Sequence, residues 1–307
     1  MTKLFILSGF LGSGKTSALK YAIEVMTDTK GTVVVVNEAG ELGLDGKLVE
    51  RAGIPVRELN NGCVCCSLQV DFIALLNEMF KTEPPSKLLI EASGLAEPAM
   101  LAKTLARFDG QIQWRKTIVV LDAEIWETRE AQGDFFYAQL NSADLILLSK
   151  ADLYAADQVA VFLSEIRQTV PGTPIEIAIH GRVNPKIFLE RPNNIKNPDQ
   201  IPESHDLSAF QNVSIESADT MDGDKWKRFI QEEGANYVRI KGQLELENGP
   251  AYFDFVRGHS NWSPPLESVS GNRLVFIGRD LDPHTLQTKL ESLVFQRGSE
   301  GTPKQRG

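Results

Sequence analysis

The chain has 307 residues, a length that allows two domains with separate hydrophobic cores. Its 42% hydrophobic content is ordinary for a globular protein, and its formal net charge of −9 argues against a general nucleic-acid or membrane-surface binder. No apolar run is long enough to span a bilayer, and the N-terminus lacks the pattern of a secretory signal, so we expect a cytoplasmic protein.

The first predicted elements are a strand, a glycine-rich turn and a helix. Residues 3–8 form a short apolar run, residues 9–16 read GFLGSGKT, and residues 17–22 have helical character. This is the context of a phosphate-binding P-loop, because glycines let the backbone approach phosphate and the helix start supplies N–H donors with a partial positive charge. Lys15 is predicted to bind the β- and γ-phosphates, and the Thr16 hydroxyl is placed for Mg²⁺. The full predicted set is Gly9, Gly12, Ser13, Gly14, Lys15, Thr16 and Ser17.

Predicted strands and helices then alternate through the first 180 residues. Apolar strand candidates lie at residues 32–37, 88–91, 117–122, 145–149 and 174–179, and helix candidates at residues 71–80, 98–108, 135–141 and 156–169. Unbroken apolar strands suit a parallel sheet that is covered on both faces. The pattern predicts a doubly wound, mainly parallel P-loop NTPase sheet of the α/β class, with ligands at the carboxyl ends of the strands.

Glu91 ends one of these predicted strands and is followed by Ala92-Ser93-Gly94. Downstream of a P-loop, an acidic residue at a strand end can hold Mg²⁺, directly or through water, or orient the attacking water. The Gly94 N–H can face the γ-phosphate. The competing interpretation is a carboxylate that only caps a helix. We predict catalytic roles for Lys15, Glu91 and Gly94.

Ser149-Lys150-Ala151-Asp152 follows another predicted strand. Guanine presents two adjacent donors, N1–H and N2–H₂, and a single carboxylate such as Asp152 accepts from both. Adenine would leave that carboxylate partly unpaired, which makes such sites selective. The Lys150 stem can pack over the base plane, and His180, at the end of the last strand of this series, faces the same edge. The alternative is a solvated turn.

Three cysteines stand within four residues, at Cys63, Cys65 and Cys66. So few thiols so close together cannot form a disulfide framework, but neighbouring thiolates bind metals such as Zn²⁺. Glu38 and Glu41, in the loop after the second strand, are candidates for a further ligand. Two alternatives stay open, a redox-active pair and simple packing.

The second half of the chain changes in composition. Residues 183–208 contain four prolines and read as a linker between a domain of residues 1–182 and a smaller one of residues 209–296. The smaller domain has strand candidates at residues 210–216, 237–246, 252–256 and 273–277, with helices at residues 224–233 and from Asp282-Pro283 onward. We expect an α+β fold there, followed by a disordered tail at residues 297–307.

Five motifs occur here in the order of the CobW-like P-loop GTPases of the SIMIBI class. They are GFLGSGKT at residues 9–16, NEAGE at 37–41, GCVCC at 62–66, EASGLAEP at 91–98 and SKAD at 149–152. The resemblance is specific over residues 3–182, and the second domain resembles the CobW C-terminal domain. The chain departs from the family pattern at several positions. Val36 stands where several zinc-binding members have an acidic residue, Ala39 where many members have Phe, and Ser149 where Asn or Thr is more usual. Residues 253–258 lack the common Gln-Gly-Val.

The resemblance implies a GTPase metallochaperone or metalloenzyme maturation factor that binds GTP or GDP and Mg²⁺. It implies a thiophilic metal at the Cys-x-Cys-Cys motif and a GTP-gated handover to a client metalloprotein or cofactor-dependent enzyme. Zn²⁺ is expected first, with Ni²⁺ or Co²⁺ as alternatives, since thiolates accept them all. No intrinsic arginine finger is evident in the sequence, so a client or a second copy in a nucleotide-dependent homodimer would complete the catalytic site.

Three other functions compete with this one. A P-loop kinase for small molecules would transfer phosphate to something other than water, and the guanine motif argues against it. A nucleotide-gated activator of a corrinoid or other cofactor-dependent enzyme would use its cysteines only structurally. A thiol-redox regulator would form a reversible disulfide within the cysteine motif.

Overall fold

The computed structural model describes residues 1–26, 28–36, 53–58, 67–94, 96, 98–192, 195–202, 210–256, 258–265 and 271–294. The chain divides into two compact units, residues 1–207 and residues 208–307. Within the described residues, no helix is both long and apolar enough to cross a membrane.

A seven-stranded sheet forms the centre of the first unit. Its strands are β1 (Thr2–Ser8), β2 (Thr32–Val36), β3 (Val56–Glu58), β4 (Lys87–Glu91), β5 (Ile112–Asp122), β6 (Leu145–Ser149) and β7 (Ile175–Ala178). Their order is β3-β2-β4-β1-β5-β6-β7, and every pair is parallel. The predicted parallel α/β sheet is confirmed.

Helices connect these strands and cover the sheet. They are α1 (Lys15–Val25), α2 (Ser67–Thr82), α3 (Pro98–Ala106), α4 (Ala123–Glu127), α5 (Asp134–Asn141) and α6 (Ala156–Thr169). Successive residues of β1 point to opposite faces, so Phe5 packs in the core beneath α1 while Leu4 packs in a second core with α2 and α3. Both faces are therefore buried, which explains why the strands read as continuous apolar runs.

Strand β5 begins at Ile112, five residues earlier than the sequence pattern predicts. In this first part of the strand Ile112 and Trp114 are buried, while Gln113 between them is exposed. It pairs with the start of β1. Because polar residues alternate with apolar ones here, this part of the strand does not stand out as an unbroken apolar run.

The stretch predicted as a linker carries packed residues of the first unit. A 3-10 turn, Pro185–Phe188, buries Ile187 and Phe188 in the core beneath α1, and Phe188 contacts the ring of Tyr21. Ile201, after a second turn at Pro198–Gln200, packs with Ala99 and Ala102 of α3. We call residues 183–192 and 195–202 the strap. Its polar composition concealed this burial, because only a few apolar residues carry it.

The second unit contains a five-stranded antiparallel sheet and two helices. The strands are β8 (Phe210–Ser217), β9 (Tyr237–Leu246), β10 (Gly249–Val256), β11 (His259–Ser263) and β12 (Asn272–Arg279), in the order β11-β10-β9-β12-β8. Helices α7 (Gly223–Glu233) and α8 (Pro283–Glu291) contribute Trp226, Phe229, Leu286 and Leu290 to one core with the sheet. The α+β expectation is confirmed, and β11 is an edge strand that the sequence analysis missed.

Candidate nucleotide-binding site

The glycine-rich turn between β1 and α1 has the backbone that its glycines allow. Gly9, Gly12 and Gly14 all have positive φ angles, of 134°, 76° and 96°. A side chain at Gly9 would place its Cβ 2.3 Å from the Val120 carbonyl oxygen, so the turn lies directly on β5. Gly14 immediately precedes α1, whose first turn holds no acidic residue and is capped by no side chain among the described residues. The N–H groups in the first turn of a helix have no partner within the helix itself, and together with the helix dipole they make such an end suited to binding an anion.

Lys15 is buried within the turn and its ammonium donates to the carbonyls of Gly9 and Phe10, both at 3.0 Å. These two backbone carbonyls partly compensate the buried ammonium for its lost hydration. Phosphate oxygens are stronger acceptors than these carbonyls, since they carry charge. The lysine is thus placed where an incoming polyphosphate would compete for it.

Thr16, in the first turn of α1, contacts Glu91, at the carboxyl end of β4, although 75 positions separate them in sequence. The Thr16 hydroxyl donates to the Glu91 carboxylate at 2.7 Å. Glu91 ends β4 beside Leu7 of β1 and Val36 of β2. A hydroxyl and a carboxylate are the oxygen donors that Mg²⁺ prefers, and they stand next to the phosphate-binding turn, so the residues present fit that ion.

Gly94 packs against the glycine-rich turn without room for a side chain. A Cβ built on it would lie 2.6 Å from Leu11 Cγ and 2.7 Å from the Leu11 nitrogen. The Gly94 carbonyl accepts a hydrogen bond, at 3.2 Å, from Gln139, a buried residue of α5. The sequence analysis missed Gln139, because a glutamine inside a short amphipathic helix carries no signal of such a long-range partner.

The predicted base-recognition residues of the SKAD motif lie at the end of β6 and directly after it, beside the glycine-rich turn. The Ser149 hydroxyl donates to the Ser13 carbonyl at 2.6 Å, which joins the end of β6 to the glycine-rich turn. Lys150 has a φ of 56°, and its ammonium lies 2.5 Å from Asp122 Oδ2. Asp152 lies in the 3-10 turn Ala151–Leu153. The pairing of Lys150 with Asp122 was also missed, although Asp122 is visible in the sequence as a polar strand end.

His180 and Ser17 lie at the same edge of the sheet. His180 is exposed, with a φ of 50°, in the turn after β7. The next residue, Gly181, is so close to α1 that a Cβ there would lie 2.5 Å from the carbonyl carbon of Ser17. The turn after β7 therefore borders the start of α1.

The predicted metal-binding residues Cys63, Cys65, Cys66, Glu38 and Glu41 lie outside the described residues. Within the described part of the chain, no group of three or more His, Cys, Asp or Glu side chains is arranged to hold a metal ion.

This arrangement of a glycine-rich turn, a buried lysine, and a hydroxyl beside a strand-end carboxylate is that of a P-loop nucleotide-binding domain. The chain belongs to the CobW/HypB/UreG family. The family model for the CobW/HypB/UreG nucleotide-binding domain matches residues 3–176, and the model for the cobalamin synthesis protein cobW C-terminal domain matches residues 210–294.

Named relatives agree with this assignment. The chain is 27% identical to "Zinc chaperone YeiR" of Escherichia coli over 300 residues, covering 94% of this chain and 89% of the relative. It is 26% identical to "Zinc chaperone CobW" of Sinorhizobium sp., covering 94% of this chain and 96% of the relative. It is 28% identical to "Zinc-regulated GTPase metalloprotein activator 1" of Dictyostelium discoideum, covering 54% of this chain and 43% of the relative.

Proposed function

We propose that this protein is a GTP-hydrolysing metal chaperone that delivers a thiophilic divalent metal to a client protein. The observation that carries the enzymatic part is the contact of Thr16 with Glu91, 2.7 Å apart, beside the buried Lys15. The family assignment and the names of the relatives support the chaperone part.

Hydrolysis joins a water oxygen to the γ-phosphorus and breaks the bond to the oxygen that bridges the β- and γ-phosphates. Lys15 exchanges its carbonyl partners for phosphate oxygens and stabilises the charge of the transition state. Glu91 orients the water or a ligand of Mg²⁺, and the Gly94 N–H donates to the γ-phosphate. When bound, Mg²⁺ neutralises phosphate charge. Thr16 and Glu91 are the residues that would hold it.

The hydrolysis test compares Lys15→Ala and Glu91→Ala with the unmodified protein. We expect Lys15→Ala to lose both GTP binding and turnover, and Glu91→Ala to lose turnover far more than binding. Glu83→Ala, at an exposed position after α2, serves as a carboxylate control and should leave both unchanged. Release of phosphate at the normal rate by Glu91→Ala would remove Glu91 from the mechanism.

Guanine is the proposed base because Asp152 can accept from both N1–H and N2–H₂. Asp152→Asn should weaken guanine nucleotides and improve xanthine nucleotides, since the amide can donate to the xanthine carbonyl. Competition among GTP, ATP and XTP measures this. Equal affinity of the unmodified protein for GTP and ATP would contradict the assignment.

The metal part of the proposal rests on where the cysteine segment is anchored. Residues 59–66 connect the end of β3 to the start of α2 at Ser67. Glu58 pairs with Val36, and Val36 pairs with Glu91, so the segment and the loop after β2 both leave the sheet edge at which Glu91 lies. We propose that Cys65 and Cys66 ligate the metal with help from Cys63, and that Glu38 or Glu41 completes the site.

We further propose that metal binding and nucleotide binding both involve the loop after β2, which carries Glu38 and Glu41. A glutamate that served as ligand to both the thiophilic metal and Mg²⁺ could not satisfy both in one geometry, so metal affinity should differ between the GTP and GDP states. Such coupling is typically about 1–3 kcal/mol, or roughly 5- to 150-fold in affinity, and is reciprocal. Hydrolysis would thereby commit the metal to its client.

A Zn²⁺ titration tests this coupling, with the protein loaded with GDP or with a non-hydrolysable GTP analogue. The double variant Cys65→Ser/Cys66→Ser should lose the site. Unchanged Zn²⁺ binding in that variant would refute the ligand assignment, and equal affinities in the two nucleotide states would refute the gating. A metal stoichiometry near zero would favour the alternative, a nucleotide-gated activator whose cysteines are structural or redox-active.

A further inference from the structure

Asp122 is a buried carboxylate at the end of β5, with an exposed fraction of 2%. It lies directly beside Ser149, the last residue of β6. One carboxylate oxygen accepts from the Glu124 N–H at 2.9 Å and caps α4. The other oxygen lies 2.5 Å from the Lys150 ammonium. Both oxygens are therefore used, and the orientation of the carboxylate is fixed.

Lys150 has an unusual conformation for its position. Its backbone is left-handed, with a φ of 56°, which is uncommon for a residue with a side chain. Its side chain is about one-third exposed, while the ammonium at its tip meets the buried Asp122. The second carboxylate nearby, Glu124, is farther away, at 3.8 Å, and more exposed. Asp122 therefore holds the tip of this side chain and leaves its apolar stem at the surface.

We propose that Asp122 is a positioning residue for guanine recognition. By holding the Lys150 ammonium, it fixes the methylene stem across the face of the bound base, next to Asp152, which reads the base edge. A long flexible lysine without such a partner would lose side-chain entropy on covering the base, and this would weaken binding. The inference rests on the proposed function, because it assumes that the nucleotide is a guanine nucleotide.

The choice of substitution distinguishes a positioning role of Asp122 from a merely structural role. Asn caps a helix about as well as Asp, so Asp122→Asn keeps the acceptor for the Glu124 N–H but loses the charge that holds Lys150. Lys150→Met keeps an apolar stem and loses the ammonium, while Asp122 and its cap stay intact. The two substitutions remove the same interaction from opposite sides, so their effects should not add.

The experiment measures the affinities of the intact chain for GDP and ADP, together with its melting temperature. We expect Asp122→Asn and Lys150→Met each to weaken GDP about tenfold and the double variant to lose little more, with ADP affinity nearly unchanged. The melting temperature should stay nearly unchanged in Asp122→Asn but fall in Lys150→Met, which leaves the buried Asp122 carboxylate without its cation. Glu124→Gln, which removes the farther carboxylate, is the matched control and should change GDP affinity much less.

Four outcomes would contradict the inference or the guanine assignment on which it rests. Unchanged GDP affinity in Asp122→Asn and Lys150→Met leaves Asp122 as a helix cap only. Equal losses for GDP and ADP in Asp122→Asn, with a lowered melting temperature, indicate a structural role, and if that variant does not fold, the GDP and ADP affinities of Lys150→Met decide alone. An unmodified protein that does not prefer GDP over ADP overturns the guanine assignment itself. A preference that survives both substitutions overturns only the inference.

Discussion

Individual residues around the glycine-rich turn are constrained by contacts that lie far apart in sequence. Gly94 is expected from the sequence because its N–H can face a γ-phosphate, and the structure adds a packing reason, the contact with Leu11. Its carbonyl is held by Gln139. Any side chain at this position would push on the turn that is proposed to bind phosphate.

Gly94→Ala should therefore weaken both folding and nucleotide binding. The added methyl group would lie 2.7 Å from a backbone nitrogen that belongs to the turn, and overpacking of this kind typically costs about 1–3 kcal/mol. Gly110→Ala is the matched control, because a Cβ there meets nothing within 4 Å. Melting temperature and GDP affinity measure the effect, and equal behaviour of the two variants would show that Leu11 yields without cost.

Among the elements, the strap differs most from its prediction as a linker, because it contacts the rest of the first unit through both apolar and polar groups. Ile187 and Phe188 are buried beneath α1. The Lys116 ammonium donates to the Ile187 carbonyl at 2.8 Å, and burial lowers the pKa of Lys116. Asp144 accepts from the Lys196 N–H at 2.8 Å. The strap is part of the fold of this unit.

Phe188→Ala should destabilise the first unit by about 3–5 kcal/mol, as expected for truncating a fully buried aromatic ring. Its neighbour Leu189 is 46% exposed, so Leu189→Ala should cost less than about 1 kcal/mol. Hydrogen exchange at the β1 amides of the intact chain reports the unfolding free energy of this unit. Similar small effects for both variants would mean that the strap contributes little.

Asp144 should give the first unit a distinctive dependence on pH. Burial raises the pKa of its carboxyl, against the opposing effect of hydrogen bonds from the Thr117 and Lys196 N–H groups. The folded state then keeps its proton to a higher pH than the unfolded state, so this contribution is fully present below the ordinary aspartate pKa. It is lost as the pH rises through the raised value.

The difference in unfolding free energy between the unmodified protein and Asp144→Asn isolates this contribution. We expect the unmodified protein to lose stability relative to Asp144→Asn as the pH rises from the ordinary aspartate pKa through the raised pKa of Asp144. Urea unfolding at a series of pH values measures it, and a difference that does not vary with pH would contradict the raised pKa.

The whole molecule consists of two units with separate hydrophobic cores. The core of the first lies on the two faces of the parallel sheet, and that of the second lies between an antiparallel sheet and two helices. Among the described residues, each of these cores is formed by residues of its own unit. Units of this kind commonly fold by themselves.

A fragment of residues 208–307 should therefore fold cooperatively, and a fragment of residues 1–207 should bind GDP. Dispersed NMR spectra and cooperative thermal unfolding check the first, and calorimetric titration checks the second. In the smaller fragment, Trp226→Ala should abolish cooperative unfolding, because Trp226 is fully buried in its core. A fragment with a random-coil spectrum would show that the second unit needs the first.

The sequence by itself determined the features whose signal is local. The glycine-rich turn occupies eight consecutive residues, and most strands of the parallel sheet are apolar runs, so their chemistry and fold class can be predicted from neighbouring positions alone. Strand β11 was missed for a corresponding reason. All five of its residues are exposed, and it is held by backbone pairing with β10, which leaves no apolar pattern.

Only the tertiary structure decided which distant residues meet. The partners Thr16 and Glu91, Gln139 and Gly94, and Lys150 and Asp122 are 75, 45 and 28 positions apart. The first and third pairs form because parallel strands bring their carboxyl ends to one edge of the sheet, whatever the length of chain between them. Gln139 reaches Gly94 from helix α5. Tertiary structure also decided the burial of the strap, since its few apolar residues are buried only because α1 presents a surface that they fit.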